Sequence, residues 1–213
     1  MKTRARIAVL VSGGGTNLQA LLDKERAGET PHGKIVLVVS NRKDAFALER
    51  AKKAGVDARY LPRKKGEGPA FEEALLKALR EKEVDMVVLA GFLAILSANF
   101  LAAFGGPILN IHPSLIPSFC GPGFYGLKVH QAALNRGVKV TGATVHLVNA
   151  QTDGGPILLQ KAVAVLPDDS PETLQRRVME EAEWVLLPQA TEDEARKILE
   201  SRARGGAKEK GGQ

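Results

Sequence analysis

The strongest constraint on how this chain folds is its alternation of short apolar runs with longer amphipathic stretches. Segments 6–11, 34–39, 56–61, 84–90 and 108–111 read as strands, and 16–25, 44–54, 69–81 and 97–103 read as helices between them. Gly55 stops the second helix, whose N-cap is expected at Asp44, and Pro69 suits the first turn of the third. A β-α-β-α series of this kind calls for a parallel sheet with helices on both faces. Right-handed crossovers then place a ligand crevice at the carboxyl ends of the strands.

The texture changes after Ile111. Segment 113–126 carries Pro113, Pro117, Gly121, Pro122, Gly123 and Gly126 without a period, and a loop that long is usually functional. A helix over 127–135 follows, stopped by Gly137. Strands over 138–148 and 157–166 are joined through Asp153-Gly154-Gly155. Ser170-Pro171 opens the last helix, with Ser170 and Thr173 short of a full capping box, and Pro188 is expected to end it. The expected organisation is one domain over residues 1–190 and a basic, Gly-rich, disordered tail over 191–213.

Composition narrows the function. The 213 residues are 44% hydrophobic and 25% charged, which is ordinary globular usage. The net charge is +6, but the end of the chain from Ser201 carries Arg202, Arg204, Lys208 and Lys210 against Glu209 alone. With aromatics at 5%, the body lacks the basic, stacking surface of a nucleic-acid binder, so none is expected. The apolar run 87–96 is shorter than the ~18 residues of a membrane span, and no secretory segment is legible at the start. Cys120 is the single cysteine, which excludes an intrachain disulfide and fits a reducing, cytoplasmic setting.

Three motifs could carry chemistry. Ser12-Gly13-Gly14-Gly15-Thr16-Asn17 joins the first strand to the first helix. Converging amides and the helix N-terminus there make an anion site suited to phosphate, or else only a tight turn. It is not a Walker loop. Leu18 stands at the third glycine of a dinucleotide fingerprint, and Ser40-Asn41-Arg42-Lys43 replaces the acidic ribose partner. Arg42 and Lys43 leave an NADP-dependent reductase as an alternative, and a catalytically silent nucleotide-binding module as another.

The second motif is Asn110-Ile111-His112-Pro113. Alternation along a strand puts an amide and an imidazole on one face, one to hold an oxyanion and one to move protons. The third is Asp153-Gly154-Gly155-Pro156. An Asp153 reaching His112 would favour the imidazolium and fix its tautomer; an Asp-Gly turn is the plainer reading. His32, His130 and His146 read as incidental, with strand alternation leaving His146 as a candidate lining residue, and no metal-ligand spacing is present, so no metal is expected.

These segments occur in order with Val11 to Gln19, Leu89-Ala90-Gly91-Phe92-Leu93, Ile95-Leu96, Leu109 to Leu115 and Gly142 to His146. Together they resemble the folate-dependent formyltransferases of purine synthesis, the phosphoribosylglycinamide formyltransferase family, over about residues 6–188. The resemblance implies a three-layer, Rossmann-like formyltransferase fold with a mixed, mostly parallel sheet and an antiparallel strand in its later half. It implies formyl transfer from 10-formyltetrahydrofolate, as co-substrate, to the amine of glycinamide ribonucleotide. Asn110, His112 and Asp153 would be catalytic. Gly14, Gly15, Thr16, Asn17 and Glu183 would bind the ribonucleotide. Leu93, Ala94, Ile95, Leu96, Asn110, Asn149, Ala150, Gln151, Thr152 and Asp153 would bind the folate. Counting along the last helix from its two ends disagrees by one residue at Glu183, as if a residue were inserted. Ala94, Gly68 and Cys120 depart from residues usual in the family. At this length neither the extra domain of the methionyl-tRNA formyltransferases nor that of the formyltetrahydrofolate hydrolases is expected, and a monomer or homodimer is expected.

Overall fold

The computed structural model describes residues 3–64 and 66–210, with side chains through residue 204. Seven strands form one sheet: β1 (Ala5–Val11), β2 (Gly33–Ser40), β3 (Asp57–Tyr60), β4 (Met86–Leu89), β5 (Ile108–His112), β6 (Val140–Leu147) and β7 (Ile157–Ala164). Their order is β3-β2-β1-β4-β5-β6-β7. β1 to β5 are mutually parallel, while β6 runs antiparallel to both neighbours. The sheet is mixed and mostly parallel.

The β1 residues divide by alternation. Ile7, Val9 and Val11 enter one core, and Ala8 and Leu10 enter the other. The first core is covered by α1 (Thr16–Arg26), α2 (Phe46–Lys53), α5 (Leu127–Arg136), α6 (Pro171–Val178) and α7 (Trp184–Lys210). The second is covered by α3 (Gly68–Glu81) and α4 (Ala98–Phe104). A strand sealed on both faces must read as a continuous apolar run, as β1 and β4 do. Each fully buried Leu or Phe contributes roughly 1.5–3 kcal/mol.

Local capping departs from expectation in two places. The N-cap of α2 is Ala45 in an extended conformation with no side-chain cap, so Asp44 does not cap it; the Asp44 carboxylate faces Arg42 at 3.5 Å instead. Ser170 and Thr173 do form a reciprocal capping box, because the Thr173 hydroxyl reaches back to the Ser170 amide as a longer carboxylate would. Asp169 accepts two bonds from Arg177, at 2.5 and 2.6 Å, and Arg177 also donates to the Ala164 carbonyl. This clamp fixes the exit of β7 against α6. The Arg177 bonds hold the Asp169 carboxyl well below the usual carboxylate range despite its desolvation.

The largest correction concerns the end of the chain. Pro188 does not end the helix, and no boundary falls at residue 190. α7 runs from Trp184 through Pro188 to Lys210, and Ala190, Thr191 and Ala195 are buried. Pro188 lies in the second turn of α7, so the bond its missing N–H forfeits is to Trp184, next to a π turn (Met179–Glu183) where the ladder is already displaced. Packing supplies the rest. Glu192 meets His32 through both its ring and its amide, and Arg202 pairs with Asp85. Residues 211–213, the last of the expected tail, lie outside the described residues.

Candidate active site

The carboxyl ends of β1, β4 and β5 carry the loops of the site. Ser12 knits them together. Its hydroxyl donates to Asn41 Oδ1 at 2.7 Å and accepts from the Leu93 amide at 3.0 Å, while its own amide donates to the Gly91 carbonyl. The sequence reading gave Ser12 no role of its own. Gly15 is the N-cap of α1 with φ +75°, and a Cβ there would stand 2.6 Å from the Ala47 Cβ, so both conformation and packing demand glycine. Gly13 and Gly14 face open space. The first N–H groups of α1 have no acceptor within the helix and are free to meet an anion. Leu18, at the third fingerprint position, is fully buried, and Arg42 is turned to Asp44, so the dinucleotide reading gains no support.

Glu183 is brought to this end by the π turn. The wider turn takes up one extra residue, which is the disagreement met on counting along the helix. The Glu183 side chain is buried, and its Oε2 accepts from Asn17 Nδ2 at 2.6 Å. Burial raises its carboxyl to about 7, the Asn17 bond opposing only in part. The Asn17 Oδ1 has no hydrogen-bond partner among the described residues.

The second cluster is built on the antiparallel pair. Register places Asn110 opposite His146 and His112 opposite Thr144. Asn110 Nδ2 lies 3.1 Å from His146 Nε2, whose ring anchors Nδ1 on the Leu147 carbonyl at 2.9 Å. Asp153 stands between the two rings, with Oδ2 3.5 Å from His112 Nδ1 and Oδ1 3.6 Å from His146 Nε2. A His146 ring protonated on Nδ1 alone accepts from the amide; a doubly protonated one turns to the carboxylate.

Two backbone features aim Asp153. Its own φ is +53°, a conformation that Asp tolerates better than most residues. Gly155 packs so closely on β6 that a Cβ would fall 1.7 Å from the Leu147 oxygen. Burial pushes the Asp153 carboxyl up, but the His146 bond, the Gly121 amide and the charges of His112 and His146 outweigh it and leave it below its ordinary value.

The long loop closes over this cluster. The Phe119 carbonyl, from a residue with φ +50°, receives His112 Nε2 at 2.9 Å, and the Gly121 amide donates to Asp153 Oδ2 at 2.8 Å. The loop is stapled to the sheet by Thr144, whose hydroxyl donates to the Ser114 carbonyl and accepts from the Ile116 amide.

A family model described as formyl transferase matches residues 5–191. The chain belongs to the formyl transferase family. This formyl transferase is 41% identical over 184 residues to the phosphoribosylglycinamide formyltransferase of Haemophilus influenzae, covering 86% of this chain and 84% of that one. It is 42% identical over 181 residues to the chloroplastic phosphoribosylglycinamide formyltransferase of Arabidopsis thaliana, covering 84% of this chain, and it spans only 61% of that protein's length. The solved glycinamide ribonucleotide transformylase 1 of Symbiobacterium toebii superposes with a TM-score of 0.84 at 45% identity, over 92% of this chain and 90% of that one.

In this formyl transferase the segment expected to hold the folate alternates. Leu93 and Ile95 are exposed, at 58% and 66%, while Ala94 and Leu96 point into the second core. Only the backbone of Ala94 and Leu96 is left to meet a ligand. Asn149 folds an Asx turn onto the Gln151 amide and donates to the Gly154 carbonyl, and Ala150, Gln151 and Thr152 are exposed. His130 is a core residue: it is fully buried, neither ring nitrogen has a partner among the described residues, and burial with the nearby His112 lowers it to about 4. Cys120 is half-buried, with its Sγ on the Pro117 carbonyl; burial and Asp153 push its thiol up, away from thiolate chemistry. His146 is the neighbour of Asn110 and Asp153 that sequence reasoning placed near the site without a role. Period-two alternation was its only signal, because its partners lie on another strand and another loop. Among the described residues no group of His, Cys, Asp or Glu converges as a metal site, and no helix is long and apolar enough to cross a membrane.

Proposed function

We propose that this chain transfers the formyl group of 10-formyltetrahydrofolate to the amine of N1-(5-phosphoribosyl)glycinamide, a step of de novo purine biosynthesis. The observation that carries the reading is Asp153 held between His112 and His146, with the Asn110 amide on the same imidazole, in a chain of the formyl transferase family. The names of the relatives and of the solved neighbour support the ribonucleotide acceptor and the formyl group it receives.

The roles follow from which atoms have donors to spare. The amine attacks the formyl carbon, and the carbonyl oxygen becomes an oxyanion. One Asn110 N–H faces His146 and the other is left for that oxygen. Both ring nitrogens of His112 face oxygen atoms, Phe119 O and Asp153 Oδ2. A doubly protonated ring can donate to both, and it meets the oxyanion by exchanging the Phe119 carbonyl for it. Asp153 stabilises that imidazolium. Through a water it carries the proton from the attacking amine to folate N10 as the C–N10 bond breaks. No enzyme nucleophile is required, and positioning two substrates in one crevice supplies much of the acceleration.

The Gly14 to Asn17 turn and Glu183 hold the phosphoribosyl end. Leu93, Ile95, the backbone of Ala94 and Leu96, and the 149–153 loop hold the pterin. The test is a turnover assay that follows loss of the formyl donor and appearance of the formylated ribonucleotide, each substrate being omitted in turn. Folded protein that turns over neither, or that is stabilised by NADPH and not by a folate analogue, overturns the reading.

A further inference from the structure

The glycine turn is tied from behind by α2, and one side chain of that helix has no place in the chemistry so far. The Gly13 carbonyl accepts from the Ala47 amide at 3.1 Å, and the Gly14 carbonyl accepts from Arg50 Nε at 2.8 Å. Within a trans peptide the C=O and the following N–H point in opposite directions. Holding both carbonyls against α2 therefore turns the Gly14 and Gly15 amides away from it, toward the crevice. There they join the unpaired amides of the first turn of α1.

Arg50 is itself held in place. Its Nη1 donates to Gln19 Oε1 at 2.9 Å, and its guanidinium lies 5.0 Å from the centroid of the Phe46 ring. This contact gives Phe46, 52% exposed on the surface, a reason to be aromatic. The planar fork bridges Gly14 on the turn and Gln19 on α1 at once, which a lysine ammonium on a flexible stem does less well.

We propose that Arg50 is a positioning residue for the substrate phosphate: it fixes the Gly14–Gly15 peptide with its amide toward the ligand. The assignment rests on the reading of the Gly14 to Asn17 turn as the phosphate site. It also predicts specificity, because Arg50 acts only on the part of the ligand that the amides touch.

The test compares the ribonucleotide with the same glycinamide riboside lacking phosphate, using the full chain. Arg50→Met keeps the aliphatic stem and removes the fork. KM for the phosphorylated substrate should rise about tenfold, the scale of losing a charge-assisted bond. The folate KM and kcat should stay within about twofold. The riboside should be used equally by both proteins, and Arg50→Lys should fall between them. An equal loss for both substrates, or a fall in kcat with unchanged KM, overturns the role of Arg50. A wild-type enzyme that does not prefer the phosphorylated substrate overturns the phosphate site itself, and the two failures are distinct. Should Arg50→Met not fold, Arg50→Lys carries the same comparison: a loss confined to the phosphorylated substrate supports the assignment, and its absence overturns it.

Discussion

Asn17 Nδ2 donates to Glu183 Oε2 at 2.6 Å, joining residues 166 positions apart at the mouth of the crevice. The carboxyl it meets is buried, and burial raises it to about 7 from an ordinary value of 4.5. A carboxyl raised on folding binds its proton more tightly in the native state. Its contribution to stability is therefore present below pH 4.5 and is lost as pH rises through 7. The full effect is roughly 3 kcal/mol, at ~1.4 kcal/mol per unit of pKa. Glu183→Gln keeps the shape and an acceptor for Asn17 but cannot ionise. Urea unfolding of both proteins from pH 4.5 to 8 should show the wild type losing stability relative to the variant. Parallel profiles would mean that Glu183 does not titrate there.

Asp153→Asn tests the centre of the site. Asn tolerates the positive φ of this position, so the backbone should be kept. Turnover should fall on the order of 10²-fold or more, with KM for both substrates little changed, because the lost charge acts mainly in the transition state. A purely structural Asp-Gly turn gives the opposite result, a lower Tm with near-normal single-turnover rates in the folded fraction.

Neighbouring glycines should behave differently. Gly14→Ala adds a methyl with nothing within 4 Å and should leave stability unchanged within about 0.5 kcal/mol. Gly15→Val must both leave φ +75° and displace Ala47. It should cost roughly 1–3 kcal/mol and weaken the ribonucleotide far more than a folate analogue. Isothermal titration with each ligand decides this, and equal weakening of both in a folded variant would contradict the proposed division of the crevice.

The C-terminal helix makes a graded prediction. Ending the chain after Ser201 removes the Arg202–Asp85 pair, whose arginine is 40% exposed, and should cost up to about 1 kcal/mol with turnover retained. Ending it after Ala190 also removes the buried Thr191 and Ala195 and the Glu192 contact with His32, and should cost several kcal/mol. Equal melting temperatures for the two truncations would show that the helix beyond Pro188 does not support the core.

The sequence by itself determined the layers and where the candidate site residues stand on them. Period-two alternation and continuous apolar runs specify which residues face each core, so the strands, the two faces and the pairing of Asn110 with His112 on one face were all legible. So was the glycine turn, since a backbone that must take φ +75° against Ala47 leaves glycine little competition. Tertiary structure decided what depends on contacts between distant segments. The antiparallel register sets His146 beside Asn110, and no local pattern encodes a partner 36 residues away. The π turn that swings Glu183 onto Asn17 shows in the sequence only as a miscount of one residue. Pro188 signals a stop locally, yet burial of Ala190, Thr191 and Ala195 carries α7 past it. Local signals of a kilocalorie or so specify a turn or a cap; where buried surface or a paired charge outweighs them, only the assembled fold decides.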